Sequence, residues 1–296
     1  MLESNDFLPR ELNMSKLLRK IWDYSRRLLP NKLYLKIQFY YVYHRALNIN
    51  HPKTYADKLA YLKTHYKDER LSSLCDKYEV RNFVKKTIGE QYLVPLIGVY
   101  DSVDDIPWDS LPEKYVLKCT HDSQSIVLHQ ANEGFDRTLA SNRLANHLKR
   151  NLFWYSREYP YKKIKPRIVC EEFLDDGGKP PADYKFMCFD GQPHYIVYDM
   201  DRFTNHHRDF YDLEWNKQNI GSDHEQGIEC AQRPELLDEM INVAKKLSKG
   251  FPHVRVDLYA VQGKVYFGEM TFFPWGGPIW FKPDEWNYKL GELIHV

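Results

Sequence analysis

The sequence has no excess of charge of either sign. Lys and Arg number 42 against 41 Asp and Glu over 296 residues. A protein that binds nucleic acid mainly through phosphate contacts needs a basic surplus, so we expect no nucleic-acid partner. A hydrophobic share of 43% and an aromatic share of 15% predict instead a folded globular protein with a sizeable core.

Cysteine pairs and long apolar runs are also missing. The five cysteines are scattered and none forms a C-x-x-C pair, which is typical of a reducing compartment and lacks the spacing of a zinc site. No run approaches the roughly 18 apolar residues that a membrane span needs. The N-terminus shows no apolar core followed by a small-residue cleavage site, so we expect a cytoplasmic protein.

One segment, residues 16–37, is locally basic with Leu, Ile, Trp and Tyr interleaved. Such a pattern is typical of a helix that docks on a membrane surface or a partner. It is equally the pattern of an ordinary amphipathic helix packed on the body and broken near Pro30, which we favour because the basic stretch is short. Peripheral contact with the inner face of the membrane stays an open alternative.

The order of predicted elements divides the chain into three parts. Residues 1–95 are mainly helical, with apolar positions spaced by three and four through TYADKLAYLKTHY and LCDKYEVRNFVKKTIG. Residues 96–166 form a small α/β unit, with strands in LVPLIGVY, YVLKCT and SIVLHQ and a helix over 136–157. Residues 167–296 form a larger antiparallel unit with hairpins at Asp190-Gly191 and near Gly263 and a helix over 234–249. The predicted fold class is therefore α+β.

The last hairpin carries the clearest chemistry. Strand alternation puts Arg255 and Asp257 on one face of VRVDLYA, and Glu269 and Thr271 on one face of YFGEMTFF. A three-residue loop of residues 262–264 would place Asp257 opposite Glu269, whereas a two-residue loop would send the two acids to opposite faces. Paired carboxylates favour a cation between them. We therefore interpret the pair, followed by PWGG, as a Mg²⁺ site rather than as surface acids paired with lysines.

Two upstream segments carry weaker signals. Lys118 ends the strand KYVLK and precedes CTHDSQS, a polar turn whose hydroxyl and N–H groups suit a phosphate. The strand RIVCEEFL ends in Glu171 and Glu172, which suit the edge of an adenine. Taken singly, a surface lysine and a plain strand end explain these segments as well.

Six motifs occur in one order: DKYEVR, VLK with a serine-containing loop, CEEFL, DYKF, RVDL and GEMTF. From about residue 50 onward, and including HPKTYADKLAYLK and LGELI, the chain resembles the ATP-grasp superfamily. More specifically it resembles the TupA-like branch, which is associated with teichuronopeptide and other surface-polysaccharide synthesis. The resemblance implies an ATP-grasp fold, in which two α+β subdomains clasp the nucleotide, with ATP and Mg²⁺ as cofactors.

The resemblance also implies roles for individual residues. Lys77 and Lys118 would hold the phosphates, and the loop from Thr120 to Ser125, with Ser123, would close over them. Asp183 would approach the ribose or base edge, and Lys185 the triphosphate. The adenine site would be lined by Glu171, Glu172 and Leu174.

The metal would be bound by Asp257 and Glu269, with Thr271 where relatives often carry an Asn ligand. Arg255 would neutralise the acyl phosphate, and Arg255, Lys118 and Lys185 would together act in catalysis. Thr271 is a weaker ligand than Asn. Gln124 stands where glycine is expected, which restricts the approach of the backbone to phosphate.

The implied activity is a carboxylate–amine ligase that joins an amino acid to a carboxyl group of a uronic-acid-containing glycan or its nucleotide- or lipid-linked precursor. For the acceptor we consider DRFTNHHRDFYD: Arg202 and Arg208 would hold a carboxylate and Tyr211 or Trp215 would stack on a sugar. A plain polar loop is an even alternative. His206 and His207 have no companion at metal spacing.

Two other functions remain open. A glycosyltransferase would use a D-x-D motif on a doubly wound sheet, and Asp199 and Asp201 match that string in an antiparallel context. A non-catalytic nucleotide-binding protein is the second alternative, although both Asp257 and Glu269 are retained.

Overall fold

The computed structural model describes residues 25–130, 134–200 and 206–296. The described residues of the N-terminal part are mainly helical. They form α1 (Asn31–Tyr43), α2 (Tyr55–His65), α3 (Arg70–Cys75) and α4 (Val80–Thr87). A capping box starts α2, since Thr54 accepts from the Asp57 N–H and Asp57 accepts from the Thr54 N–H. Residues 16–24 of the basic segment lie outside the described residues.

The pattern through LCDKYEVRNFVKKTIG predicts one helix, and this prediction is wrong. The chain breaks between α3 and α4 because the Asp76 carboxylate accepts from the N–H groups of Tyr78 (2.7 Å) and Glu79 (3.0 Å). A short acidic side chain that bonds its own backbone competes with helix hydrogen bonds and starts a new turn. The break turns the backbone of Lys77 toward the next unit, where its N–H donates to the Thr120 carbonyl.

A four-stranded antiparallel sheet follows. Its strands β1 (Leu96–Tyr100), β2 (Tyr115–Cys119), β3 (Val127–His129) and β4 (Ile168–Glu172) lie in the order β1-β4-β2-β3. This small sheet therefore extends beyond residue 166, because β4 pairs with both β1 and β2. The helix expected over 136–157 is two helices, α5 (Arg137–Leu148) and α6 (Phe153–Ser156). The side chain of Asp136 caps α5 by accepting from the Leu139 N–H.

A six-stranded antiparallel sheet forms the rest. It contains β5 (Asp183–Phe189), β6 (Gln192–Met200), β7 (His207–Tyr211), β8 (Lys217–Gln218), β9 (His253–Val261) and β10 (Lys264–Thr271). The strand order is β10-β9-β5-β6-β7-β8. Two further helices are α7 (Leu237–Ser248), which confirms the helix expected there, and α8 (Glu285–Glu292). Helices with two antiparallel sheets confirm the α+β class.

One face of the large sheet is apolar, and the other, the charged face, carries charged side chains beside a few buried apolar ones such as Met187 and Val197. Val254, Val256 and Leu258 of β9 are fully buried in the main core, together with residues of α2, α3, α4 and α7. Alternation then sends Arg255 and Asp257 to the other face. A second core lies between the small sheet and α5, and a third joins α1 to α2 and Trp280. Within the described residues, no helix is long and apolar enough to cross a membrane.

His253 joins three elements of the main core. Its Nδ1 lies 2.8 Å from the Cys188 carbonyl of β5 and its Nε2 2.8 Å from the Tyr55 hydroxyl of α2. A carbonyl only accepts, so Nδ1 carries the proton and Nε2 accepts from Tyr55. Burial, helped by the charge of Arg255, lowers the pKa of His253 to about 4.

This shift predicts a specific acid sensitivity. The unfolded chain, with a histidine pKa near the ordinary value of about 6.5, binds more protons than the folded chain between pH 6.5 and 4. Stability from His253 is therefore present above that window and is lost as the pH falls through it, by roughly 3 kcal/mol. Denaturant unfolding at several pH values, compared with His253→Gln, should show the difference between the two proteins shrinking over this window. A constant difference would contradict the assignment.

Candidate active site

The β9–β10 hairpin brings the two predicted acids together, but through a shorter loop than this pairing was expected to need. Its loop has two residues, Gln262 and Gly263, with φ values of 50° and 73°. Positive φ at both central positions is the type I′ turn that suits strand twist. The hairpin therefore has the two-residue loop, which we expected to send the two acids to opposite faces. Asp257 nevertheless lies opposite Glu269, and Arg255 opposite Thr271, as expected.

A β-bulge at Gly268 reconciles the short turn with this register. Phe267 pairs with Leu258, and Glu269 pairs with Asp257. Strand β10 therefore has one extra residue, Gly268, between these two pairs. One extra residue reverses the facing of everything that follows it. The bulge thus returns Glu269 and Thr271 to the charged face. A Cβ on Gly268 would lie 3.0 Å from the Asp257 carbonyl oxygen, which explains glycine there.

Arg255 lies at the centre of this hairpin site. Its Nε and Nη2 each donate to Asp257 at 2.7 Å, and Nη2 also lies 3.3 Å from Glu269 and 3.3 Å from the Thr271 hydroxyl. Burial opposes its charge, but the carboxylates of Asp257 and Glu269 outweigh burial and raise the pKa of Arg255 above its ordinary value. These contacts are made by Nε and Nη2.

The donor set fits a divalent cation. Burial and the negative charge of Glu269 raise the pKa of Asp257 to about 6, although Arg255 opposes them. Thr271 Oγ1 lies 3.3 Å from Glu269 Oε1, so three oxygen donors lie side by side. The described residues contain no group of three or more His, Cys, Asp or Glu arranged around a metal. Two carboxylates are the number that Mg²⁺ uses where phosphates complete its shell.

The charged face continues across β5, β6 and β7. Lys185 lies opposite Asp257, Asp183 opposite Asp199, and Asp199 opposite Arg208. Lys185 forms a short ion pair with Asp199 and lies 3.6 Å from Asp183. Burial opposes the charge on Asp199, but a hydrogen bond from His206 and the cations Lys185 and Arg208 hold its pKa well below the usual range. Asp183 and Lys185, which were predicted to share a face of their strand, thus both lie on the charged face.

The predicted acceptor residues do not come together. Arg208 lies on the charged face, yet its guanidinium is bound by Asp199 at 2.6 and 3.1 Å and by Asp223. Tyr211 is three residues along β7 and lies on the opposite, core face, stacked on Trp215 at 4.1 Å. Strand alternation therefore separates the expected carboxylate and sugar contacts. Arg202 lies outside the described residues.

The loop after β2 is held at both ends. Lys77 donates to the Asp122 carbonyl at 2.6 Å and lies 4.0 Å from Glu269, so it joins this loop to the hairpin site. The buried Ser125 hydroxyl accepts from the Cys119 N–H at 2.8 Å. Ser123 is exposed between these anchors, and its N–H donates to the Asp122 carboxylate at 2.7 Å.

Two loop features were not foreseen. Gln124, the residue in place of the expected glycine, has φ of 65°, and its carbonyl accepts from Arg143 at 2.7 Å. The loop therefore takes the left-handed conformation that glycine would favour. The buried pair Asp122 and His147 makes a short hydrogen bond that ties the loop to α5. His147 stands on α5, far from any motif, so sequence gave no signal for it.

The strand end CEEFL carries an ion-pair chain. Glu171 lies 2.6 Å from Lys118 and 3.0 Å from Arg81, and it is buried. Glu172 is exposed and Leu174 is partly buried. Arg81 also lines a cavity of about 840 Å³ between α4, β1 and the tip of the β9–β10 hairpin. The cavity borders the Glu171 end of the site but is lined by none of the predicted site residues.

Trp275, in the turn after β10, lies beside two arginines of the charged face. Its ring centroid lies 5.9 Å from Arg255 Cζ and 5.7 Å from Arg208 Cζ. It has φ of 56°, in a turn whose Gly276 carbonyl accepts from the buried Lys63. Burial lowers the pKa of Lys63 to about 8, against the attraction of Glu158. PWGG marked this turn in the sequence, whereas Lys63 resembled an ordinary helix residue.

Comparison with known families decides what this geometry belongs to. The sequence model described as TupA-like ATPgrasp matches residues 57–295, more than half of the chain. The chain belongs to the TupA-like ATPgrasp family. It is therefore a member of the ATP-grasp ligase superfamily with the predicted ATP-grasp fold. No curated protein matches the sequence.

Solved structures give distant overlaps. The D-alanine–D-alanine ligase of Bacillus anthracis, complexed with ATP, has 16% identity and a TM-score of 0.41 over 69% of this chain and 56% of its own. The L-amino acid ligase of Bacillus licheniformis has 13% identity and a TM-score of 0.41 over 69% and 44%. Phosphoribosylamine–glycine ligase of Thermotoga maritima has 13% and 0.42 over 71% and 51%. The chain spans about half the length of these proteins. Because the TM-scores are this low, the similarity says nothing about the activity of the chain.

The bulge predicts that Gly268→Ala is harmful. The added Cβ meets the backbone oxygen of Asp257 at 3.0 Å and the Tyr259 ring at 3.1 Å, so the two acids must shift. We expect a loss of about 1–3 kcal/mol in unfolding free energy. Gly134→Ala is the matched control, because a Cβ there has no neighbour within 4 Å. Equal unfolding midpoints for the two variants would contradict the role of the bulge.

Proposed function

We propose that the protein is a MgATP-dependent carboxylate–amine ligase that works through an acyl phosphate. The observation that carries this proposal is the juxtaposition of Asp257 and Glu269 on adjacent strands, with Arg255 bound to both and Lys77 4.0 Å from Glu269. Two acids and two cations within one partly enclosed cluster suit a reaction in which phosphate charge is bound and moved.

The proposed reaction has two steps. A carboxylate oxygen of the first substrate attacks the γ-phosphorus of ATP, and the bond to ADP breaks. The nitrogen of the amine substrate then attacks the acyl carbon, and inorganic phosphate leaves as the amide bond forms. Neither step needs a covalent bond to the protein, so positioning and charge neutralisation supply the catalysis.

Asp257 and Glu269 are the residues that would hold Mg²⁺, with the Thr271 hydroxyl beside them. When bound, Mg²⁺ neutralises phosphate charge and orients the oxygens of the transferred group. Each carboxylate is held next to a positive group in the structure. Asp257 contacts Arg255, and Glu269 contacts Arg255 and Lys77. These cations favour the ionised form of the carboxylates, which is the form that binds Mg²⁺.

Lys118 and Lys185 are each held in one orientation by an ion pair with a carboxylate. Lys118 is paired with Glu171, and Lys185 with Asp199, while their side chains remain 15% and 6% exposed. Paired lysines keep fixed directions and lose little conformational entropy when a phosphate arrives. Arg255 uses Nε and Nη2 for the acidic pair, so its Nη1 edge is the one that would neutralise the acyl phosphate.

For the substrates we propose an amino acid as the amine and a uronic-acid carboxyl group, on a glycan or its nucleotide- or lipid-linked precursor, as the acid. This assignment is supported by the TupA-like resemblance. Trp275 beside Arg255 supplies an aromatic surface of the kind that packs on a sugar ring. Arg208 is already bound by two acids, and Tyr211 is buried in the core. The Trp275 ring is therefore a better candidate than Arg208 or Tyr211 for contact with the sugar substrate.

The glycosyltransferase alternative fits the geometry less well. Both described sheets are antiparallel, whereas the glycosyltransferase alternative requires a doubly wound sheet. Its D-x-D string places Asp199 in ion pairs with Lys185 and Arg208, and Asp201 lies outside the described residues. A non-catalytic nucleotide-binding protein would bind MgATP at the same residues but release no ADP.

Product analysis tests the proposed reaction. We expect release of ADP and phosphate from MgATP only when an amino acid and a uronic-acid sugar are both present. Mass spectrometry should detect the corresponding amide. Turnover of a nucleotide sugar without ATP would overturn the proposal, as would ADP release that is independent of the carboxylate.

Glu269→Gln tests the metal site most sharply. Glu269 has 41% side-chain exposure, so its neutralisation should cost little stability, whereas Asp257→Asn leaves the buried Arg255 without its main partner. We expect each variant to lose roughly 100-fold or more in kcat, and Glu269→Gln also to require more Mg²⁺ for half-maximal rate. Glu285→Gln, which removes an exposed acid on α8, is the control. Full activity in Glu269→Gln would refute the assignment.

A further inference from the structure

An apolar patch lies on the outside of α1 and the turn before it. Of the ten large apolar side chains that the described residues expose, five lie between residues 28 and 41. Leu28 is 73% exposed, Tyr40 60% and Leu33 46%. The patch is completed by Ile37 and Tyr41. Positions 33, 37 and 40 are spaced by four and three, so they form one stripe along the helix.

The opposite side of α1 is already packed. Tyr34, Leu35 and Phe39 are buried against α2 and Trp280. The Tyr34 hydroxyl donates to the Tyr155 carbonyl at 2.8 Å. Helix α1 is therefore apolar on two sides, and the core uses only one of them. A partner that covers the outer stripe would meet a helix that is already folded, so binding requires little ordering.

The sequence around the patch carries positive charge only, although one of its cations, Arg45, is paired with Asp284 of a distant segment. Residues 24–56 contain six Lys and Arg and no Asp or Glu, in a chain whose total charge is +1. Arg27, Lys32 and Lys36 are exposed beside the apolar stripe. Contiguous apolar side chains bordered by cations are what an anionic lipid surface binds: the apolar groups enter the boundary of the acyl chains and the cations meet the headgroups.

We propose that this α1 patch docks the protein on an anionic membrane surface, with α1 lying in the plane of the interface. A second copy of the chain is a poorer occupant, because a symmetric contact would bring two sets of cations to one interface. The segment also touches the site region, since the Tyr43 hydroxyl lies 3.4 Å from the Pro278 carbonyl just after the Trp275 turn. Docking does not depend on the proposed reaction.

Vesicle cosedimentation of the full chain tests this proposal. We expect binding to vesicles of phosphatidylcholine and phosphatidylglycerol in equal parts, weak binding to phosphatidylcholine alone, and weakening by salt. Replacing one lysine, in Lys32→Gln or Lys36→Gln, should reduce binding about fivefold, the effect of one cation near such a surface. Leu33→Ser and Ile37→Ser should also reduce binding, with unchanged circular dichroism.

Leu139→Ser is the matched control, since Leu139 is 56% exposed on α5, far along the chain from the patch. Retained binding in this variant supports the proposal, and an equal loss would overturn it. Equal binding of the native protein to both vesicle types, or no binding to either, would also overturn it. So would a dimer that Ile37→Ser dissociates while vesicle binding is unaffected. Ligase activity in solution should be unchanged in Ile37→Ser, which keeps this test separate from that of the proposed reaction.

Discussion

The contact of Arg255 with Asp257 and Glu269 is the interaction on which the site depends. Two carboxylates on neighbouring strands repel each other, and a half-buried sheet face cannot hold them without a cation. Arg255 supplies that cation from the same strand as Asp257. Because it binds both acids and Thr271, it also fixes the register of β9 against β10 on the charged side.

The same principle extends over the whole charged face. Each cation on it lies opposite or beside an acid: Lys185 beside Asp199 and Asp183, and Arg208 beside Asp199 and Asp223. Such pairing holds each charged group in one direction. In the proposed reaction, a polyphosphate would therefore meet Lys185, Arg208 and Arg255 in positions that are already set, which is the arrangement that electrostatic catalysis requires.

Sequence reasoning succeeded where periodicity decides the outcome. Strand alternation predicted that Asp257 and Glu269 share a face with Arg255 and Thr271. The bulge that allows this pairing with a two-residue loop was not predicted, because turn type and bulge depend on local backbone conformation that one sequence leaves ambiguous. Gly268 was the available signal: glycine inside a strand pattern marks a bulge or a close backbone approach.

Periodicity failed where a short polar side chain competes with the backbone. The helix expected through LCDKYEVRNFVKKTIG ends at Asp76 because that carboxylate binds the N–H groups of Tyr78 and Glu79. The expected acceptor group is divided for a different reason: Arg208 and Tyr211 both lie on β7, where strand alternation sends them to opposite faces. His147 is separated from the motifs by many residues, so no local pattern could reveal its pairing with Asp122. Lys63 ends the segment HPKTYADKLAYLK, but helix periodicity gives no sign that its ammonium group binds the Ser156 and Gly276 carbonyls.

The loop after β2 shows how the missing glycine is accommodated. Asp122 is tied to Lys77 and His147, and Ser125 to the backbone of Cys119, so only Ser123 and Gln124 lie between the anchors. Gln124 is left-handed, a conformation that costs a non-glycine residue about 1 kcal/mol or more. Arg143 offsets part of that cost by binding its carbonyl. These anchors leave Ser123 and Gln124 as the two residues of the loop that can move without breaking a described contact of Lys77, His147 or Cys119.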